Sequence, residues 1–268
     1  MVSEGFVSGG ADDMKVQIVA CSFDNYAYLV HREGSSKALV IDPSEGIPVL
    51  REAEHLGLEL VAVLCTHHHH DHVGGIAEVR EAFPTIEVWA HEHDRHRIAG
   101  VTHTVQHAQT IVVGGMSFSA LHVPGHTLGS VAWICSNLLW TGDTLFVGGC
   151  GRVFEGTPTM MQASLQRLAS LPQDTQVYCG HEYTLSNLRF ARLVESGHDP
   201  IQKHLRQAET LRAENKPTVP STIGQELLIN PFLRWCEPEV IAFALRNGAR
   251  DKTPTSVFAA VREAKNKT

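Results

Sequence analysis

Between Cys65 and Gly75 the chain reads CTHHHHDHVGG, which puts five imidazoles and one carboxylate in the six positions from His67 to His72. Imidazole and carboxylate without thiolate suit zinc, iron or manganese. The apolar run LVAVLC (60–65) leads into the cluster as a buried strand, and two glycines follow it. On an extended loop, residues two apart point the same way. His67 and His69 can therefore share one ion, while His68 and His70 face elsewhere. Asp71 and His72 come where the chain turns, within reach of a second ion. Two histidines leave an ion under-coordinated, so further ligands must arrive from afar. His126 in VPGHTLGS, Asp143 in LLWTGDTLF and His181 in VYCGHEY each follow an apolar run and adjoin a glycine, which lets the side chain project at a sheet edge. Five histidines and two aspartates suit two ions bridged by one carboxylate, with a position open for water. HEHDRH (91–96) is a rival cluster, but His91, His93 and His96 lack glycine turns and distant partners. His122 lies mid-strand. Neither is expected to hold an ion.

These side chains need a scaffold. MKVQIVAC, NYAYLVH and KALVIDP are strand-like runs, as are IEVWA, MSFSALHV, SVAWIC and NLLWTGD later in the chain. Residues 47–56, 76–83 and 160–171 have helical patterns, and 176–179 is a last short strand. Many strands with few helical crossovers predict a mixed α/β fold of two packed sheets with helices outside. Beyond about residue 183 the pattern becomes helical, over 188–194, 201–214, 240–245 and 256–265. The expected organisation is a disordered leader (1–13), a catalytic domain (14–185) and a helical domain (186–268).

The 268 residues are 43% hydrophobic and 19% charged, as in an ordinary soluble protein. No apolar run is long enough to span a bilayer, and MVSEGFVSGGADD has neither the basic nor the apolar region of a signal peptide. The six scattered cysteines form no CxxC pair and read as reduced thiols. Together these predict a cytoplasmic protein. Residues 186–268 carry 13 Lys and Arg against 9 Asp and Glu, whereas the rest carries 9 against 20. An acidic body with a mildly basic end lacks the dense basic face of a nucleic-acid binder, but it suits a metal domain beside a segment that holds a small anion. No nucleic-acid or membrane partner is expected, and the chain is expected to be a monomer.

THHHHDH, followed in order by PGHT, TGDTLF and GHEY, resembles the signature of the metallo-β-lactamase fold. TGDTLFVGGCGRVFEGT (141–157), VYCGHEYTLSNLRFA (177–191) and PTVPSTIGQELLINPFLR (217–234) resemble glyoxalase II, the hydroxyacylglutathione hydrolases. The likeness runs from Met14 to Lys265. It implies an αββα sandwich with a C-terminal helical domain, and a binuclear thioester hydrolase. Carried over by position, it gives His67, His69 and His126 to the first ion and Asp71, His72 and His181 to the second. Asp143 lies between them beside the shared water, and Asp42 in VIDP supports the ligands from behind. Zinc is the expected metal, with iron or manganese as alternatives. A persulfide dioxygenase of the same superfamily is the nearest competing reading, but such enzymes generally lack the long helical end.

The implied reaction converts S-(2-hydroxyacyl)glutathione, typically S-D-lactoylglutathione, to glutathione and D-lactate, the second step of methylglyoxal detoxification. Two neighbouring dications depress the pKa of a shared water from 15.7 towards about 7. The thiolate leaving group departs readily because thiols are acidic near about 8.5. The family's glutathione contacts map onto Arg152, Phe154, Tyr183, Arg262 and Lys265. Arg262 and Lys265 lie three apart on a predicted helix, hence on one face, where they are expected to share a substrate carboxylate. Phe154 stands where the family's animal members often carry tyrosine, and it lacks that hydroxyl's hydrogen bond.

Overall fold

The computed structural model describes residues 13–268, so all of the expected leader except Asp13 lies outside the described residues. The first sheet is built from β1 (Met14–Cys21), β2 (Asn25–Arg32), β3 (Lys37–Ile41), β4 (Glu59–Leu64), β5 (Glu87–His91) and β6 (His103–Val105), side by side in chain order. Helices α1 (Gly46–His55), α2 (His70–Val73) and α3 (Ile76–Ala82) interrupt it. β3 through β6 run parallel, so their C-terminal ends share one edge.

The second sheet takes β7 (Thr110–Val113), β8 (Met116–His122), β9 (Val131–Cys135) and β10 (Leu138–Gly142). After a small ribbon of β11 (Leu145–Phe146) and β12 (Gly149–Cys150), helix α4 (Pro158–Ala169) crosses back to β13 (Gln176–Cys179), which pairs parallel to β10. Five helices follow: α5 (Thr184–Val194), α6 (Asp199–Ala213), α7 (Ile223–Ile229), α8 (Pro238–Arg246) and α9 (Pro254–Asn266).

Strand β9 shows why the layers form. Val131, Trp133 and Cys135 face the core between the sheets, against Leu39, Ile41 and Leu64. Ala132 and Ile134 face the other way, against Met161, Leu165 and the C-terminal helices. A strand buried on both faces reads as a continuous apolar run, which is how SVAWIC reads. Helices α1 and α3 cover the outer face of the first sheet. The result is the expected αββα sandwich with helices at the C-terminal end. All six cysteines are free, and only Cys236 is exposed.

The helical end is less separate than its sequence pattern predicts. Phe190, Phe232, Phe258 and Val261 share one core with Leu139, Leu165 and Val177 of the sandwich. Ser221 and Thr222 form β14, which completes the second sheet beside β13. Glu226 in α7 and Asn230 just beyond its end lie one turn apart and clasp the loop after Asp143. Glu226 Oε2 accepts from Gly148 N at 2.8 Å and from Asn230 Nδ2 at 2.9 Å, while Asn230 Nδ2 also reaches Gly149 O at 2.9 Å.

Burial pushes the Glu226 carboxyl up to about 7, against the pull of its Asn230 and Gly148 hydrogen bonds. The folded protein thus holds this proton over a range where the unfolded chain, at 4.5, has lost it. Its contribution to stability is full below 4.5 and is lost as pH rises through about 7. Glu226→Gln keeps an acceptor for both donors and carries no charge. Relative to the parent protein it gains stability as pH rises from 5 to 8, by about 3 kcal/mol at most. Thermal melts across that range check this, and equal pH profiles would refute it.

Candidate metal centre

The seven expected side chains meet at the edge formed by the C-terminal ends of β4, β8, β10 and β13. Ligand sites of layered α/β folds favour such edges. Positive φ occurs at two key backbone positions there. Asp42 ends β3 at φ 50°, a conformation that aspartate tolerates better than most residues. Gly142 sits at φ +49°, and a Cβ there would stand 2.3 Å from Thr66 Oγ1.

His67 Nε2 and His126 Nε2 each lie 3.0 Å from His69 Nδ1. Asp71, His72 and His181 form a second group, with 3.3 Å between the two Nε2 atoms and 3.4 Å from Asp71 Oδ2 to His181 Nε2. Asp143 stands between the groups. Its Oδ2 is 3.5 Å from His126 Nε2 and 3.4 Å from His181 Nε2, and its Oδ1 is 3.3 Å from His72 Nε2. His68 turns away to Asp94, at 3.2 Å, and His70 is exposed.

Groups behind the rings fix their orientation. His72 Nδ1 is 2.8 Å from Asp42, His181 Nδ1 is 2.9 Å from Asp24, His126 Nδ1 is 2.8 Å from Arg152 O, and His67 Nδ1 is 3.1 Å from Thr66 Oγ1. This leaves the Nε2 atom of each facing inward, as ligating histidines are held by carboxylates and carbonyls behind them. Asp42 also accepts from Thr66 N at 2.7 Å and from the Thr66 hydroxyl. In the sequence Asp24 reads as a turn residue, and nothing local marks it as a partner for His181.

Burial, with neighbouring imidazoles, holds His67 well below its ordinary value and His69 at about 4; burial also lowers His126. These three rings are neutral at pH 7 and offer lone pairs to one another across 3.0 Å. Burial would lower His72 and His181 too, but the carboxylates together outweigh it, Asp143 with Asp42 at His72 and Asp143 with Asp71 at His181. His72 is raised well above its ordinary value and His181 to about 10. Burial would raise Asp143, yet the His72 charge and hydrogen bonds from His181 and His72 hold it well below the carboxylate range. Its Oδ1 is buried without a well-formed hydrogen bond. Converging lone pairs and a buried carboxylate oxygen left over form a donor set that fits cations.

The other expected contacts border this centre. The Phe154 ring is 60% exposed and 5.2 Å from that of His126. Tyr183 stacks on His181 at 4.7 Å. Arg152 is exposed, and its carbonyl holds His126. Arg262 departs from the expected role of a free cation. It is 7% exposed, donates to Cys150 O at 2.8 Å and lies over the Phe232 ring. Its face of α9 packs inward, which spacing alone does not reveal. Lys265 is half-buried over Phe190 and donates to Ser186 O at 3.0 Å. Burial, then the Arg262 charge, lowers it to about 8.

Comparison with known proteins decides the family. The metallo-beta-lactamase superfamily matches residues 23–181, and the hydroxyacylglutathione hydrolase C-terminus matches residues 182–268. A hydroxyacylglutathione hydrolase of Synechococcus is 46% identical over 94% of this chain and 99% of its own length. The chain belongs to the hydroxyacylglutathione hydrolase family. Solved structures agree on the fold. ETHE1 from Myxococcus xanthus superposes with a TM-score of 0.65 at 25% identity, over 94% of this chain and 98% of its own. A structure described as TTHA1623 in a di-iron-bound form gives 0.58 at 26% identity, over 80% and 98%. Like other hydroxyacylglutathione hydrolases, the protein carries its helical segment after the metallo-β-lactamase region, and here that segment braces the loop beyond Asp143.

Proposed function

We propose that this chain hydrolyses S-(2-hydroxyacyl)glutathione, with S-D-lactoylglutathione as the expected substrate, using two divalent ions. As a family member the protein is a thioester hydrolase. The observation that carries the two-ion reading is the Asp143 carboxylate, with one oxygen towards His126 and His181 and the other towards His72. His67, His69 and His126 would hold one ion, and Asp71, His72 and His181 the other, with Asp143 shared. When bound, such ions supply Lewis acidity and an acidified water at neutral pH. Zinc is the expected metal, since imidazole and carboxylate donors accept it readily.

The chain's own groups do the rest. Asp42, Asp24 and the Arg152 carbonyl keep the histidine rings aimed inward. Phe154 and Tyr183 wall the centre beside His126 and His181. Arg152 and Lys265 meet the substrate's carboxylates, and Arg262 holds the Cys150 backbone beside them. A thiolate leaves without a dedicated general acid. Residues 14–185 are the catalytic region and 186–268 the carrier-binding region of a cytoplasmic monomer without nucleic-acid or membrane partners. No helix among the described residues is long and apolar enough to cross a membrane.

Elemental analysis of protein purified without chelator should give close to two ions per chain, alongside steady-state hydrolysis of S-lactoylglutathione. A fully active sample with one ion would sink the two-ion reading. Lys265→Ala should raise KM about tenfold with kcat nearly unchanged, because a charge contact remote from the thioester acts alike in ground and transition states. In the parent enzyme KM should rise as pH passes about 8, where Lys265 loses its proton. Lys265→Arg should remove that rise. An unchanged KM in Lys265→Ala would move the carboxylate site towards Arg152.

A further inference from the structure

The structure assigns a separate site for a late first-row divalent cation to His91, His93 and His122. It corrects the expectation that this histidine cluster lacks a distant partner. His91 ends β5 of the first sheet, His93 lies in the short turn Glu92–Asp94, and His122 ends β8 of the second sheet. His96 takes no part. One ring nitrogen from each of the three lies within 4.8 Å of the other two. The His91 and His122 rings stack at 4.1 Å and 10°, and the His93 ring stands nearly perpendicular to both.

The surroundings have the form of a ligand site. His122 Nε2 and His93 Nδ1 both face the Leu128 carbonyl, at 2.8 and 3.3 Å. A carbonyl accepts only from protonated nitrogens, so this contact fixes the tautomer of each ring and leaves its other nitrogen with a free lone pair. Backbone carbonyls orient ligating histidines in this way. His91 Nδ1 accepts only a weak contact, from His93 N at 3.4 Å. Burial lowers all the way to about 4 the pKa of His91, and burial likewise lowers His122, so no proton competes for these rings at neutral pH. Tetrahedral zinc with Zn–N near 2.0–2.1 Å brings its nitrogens to about 3.4 Å apart. His107, whose Nδ1 accepts from His122 N at 3.2 Å, flanks the group, and His93 is exposed.

An ion here would clip the first sheet to the second. It would also fix the loop from Val123 to Ser130, which carries His126 between His122 and Leu128. The site thus lies next to the catalytic centre without sharing a side chain with it.

The test uses the metal-loaded enzyme, dialysed free of excess metal and titrated with Zn2+ by calorimetry and by competition with a chromophoric chelator. The parent protein should take up one ion beyond its resident content, and its melting temperature should rise by a few degrees as binding to the folded state predicts. His93→Ala alters an exposed residue outside the catalytic machinery. It should weaken the additional ion about tenfold or more, with kcat and resident metal unchanged. His96→Ala should behave as the parent. Equal Zn2+ uptake by His93→Ala and the parent, or loss of the additional ion in His96→Ala, would overturn the assignment. So would the absence of any uptake beyond the resident ions.

Discussion

His69→Ala removes ions and costs hydrolysis about a hundredfold or more, whereas its neighbour His70→Ala leaves both nearly intact. His69 Nδ1 stands 3.0 Å from both His67 Nε2 and His126 Nε2, at the meeting point of one donor triad. His70 opens the short helix α2 and points to solvent. Removing even a group behind a ligand weakens metal binding by about 10–100-fold, so deleting a donor itself costs at least as much. Elemental analysis and kcat on both variants check the contrast. If His70→Ala lost metal and His69→Ala kept it, the ligand register would be wrong by one residue.

Asp42→Ala should be the most damaging change outside the seven converging side chains. Its carboxylate accepts from Thr66 N, from the Thr66 hydroxyl and from His72 Nδ1, all in buried surroundings. Removing it orphans these donors and leaves the buried His72 Nδ1–H facing a methyl group. Leaving buried donors unpaired costs about 1–3 kcal/mol each, so about 3–5 kcal/mol here. That lowers the melting temperature by about 10 °C for a chain of this size. Ion affinity should fall by about 10–100-fold because His72 loses its orientation. Asp42→Asn separates the two effects. Its amide oxygen still accepts from Thr66 N, so the fold recovers in part, while its NH2 cannot accept from His72 and affinity stays low. Melts with and without chelator, together with competition titrations, read both. A melting temperature within a degree or two of the parent for Asp42→Ala would show that the carboxylate is dispensable.

The convergence of these side chains was legible because alternation on an extended segment is a local property. His67 and His69 needed only their spacing, and His126, Asp143 and His181 only an apolar run and a glycine. The long central strands were legible for the same reason, since burial on both faces leaves unbroken apolar runs. Short edge strands were not. Ser221–Thr222 pairs with β13 through a two-residue ladder, too brief for any period. Arg262 and Lys265 do share a face of α9, but spacing cannot say that the face packs on Phe232 and Phe190. The grouping of His91 and His93 with His122 depends on two sheets meeting, and nothing near HEHDRH points to β8.

The shared core and β14 make the helical end a poor unit for exchange. A chimera joined near residue 185 would take away the edge partner of β13, the Glu226–Asn230 clasp on the loop after Asp143, and the aromatic side chains that seal Leu139, Leu165 and Val177. A graft that respected packing would have to carry α4 and the 145–150 ribbon along with the helices. Substrate range in this scaffold is therefore better altered one surface side chain at a time, at Phe154, Tyr183 or Lys265, than by trading whole modules.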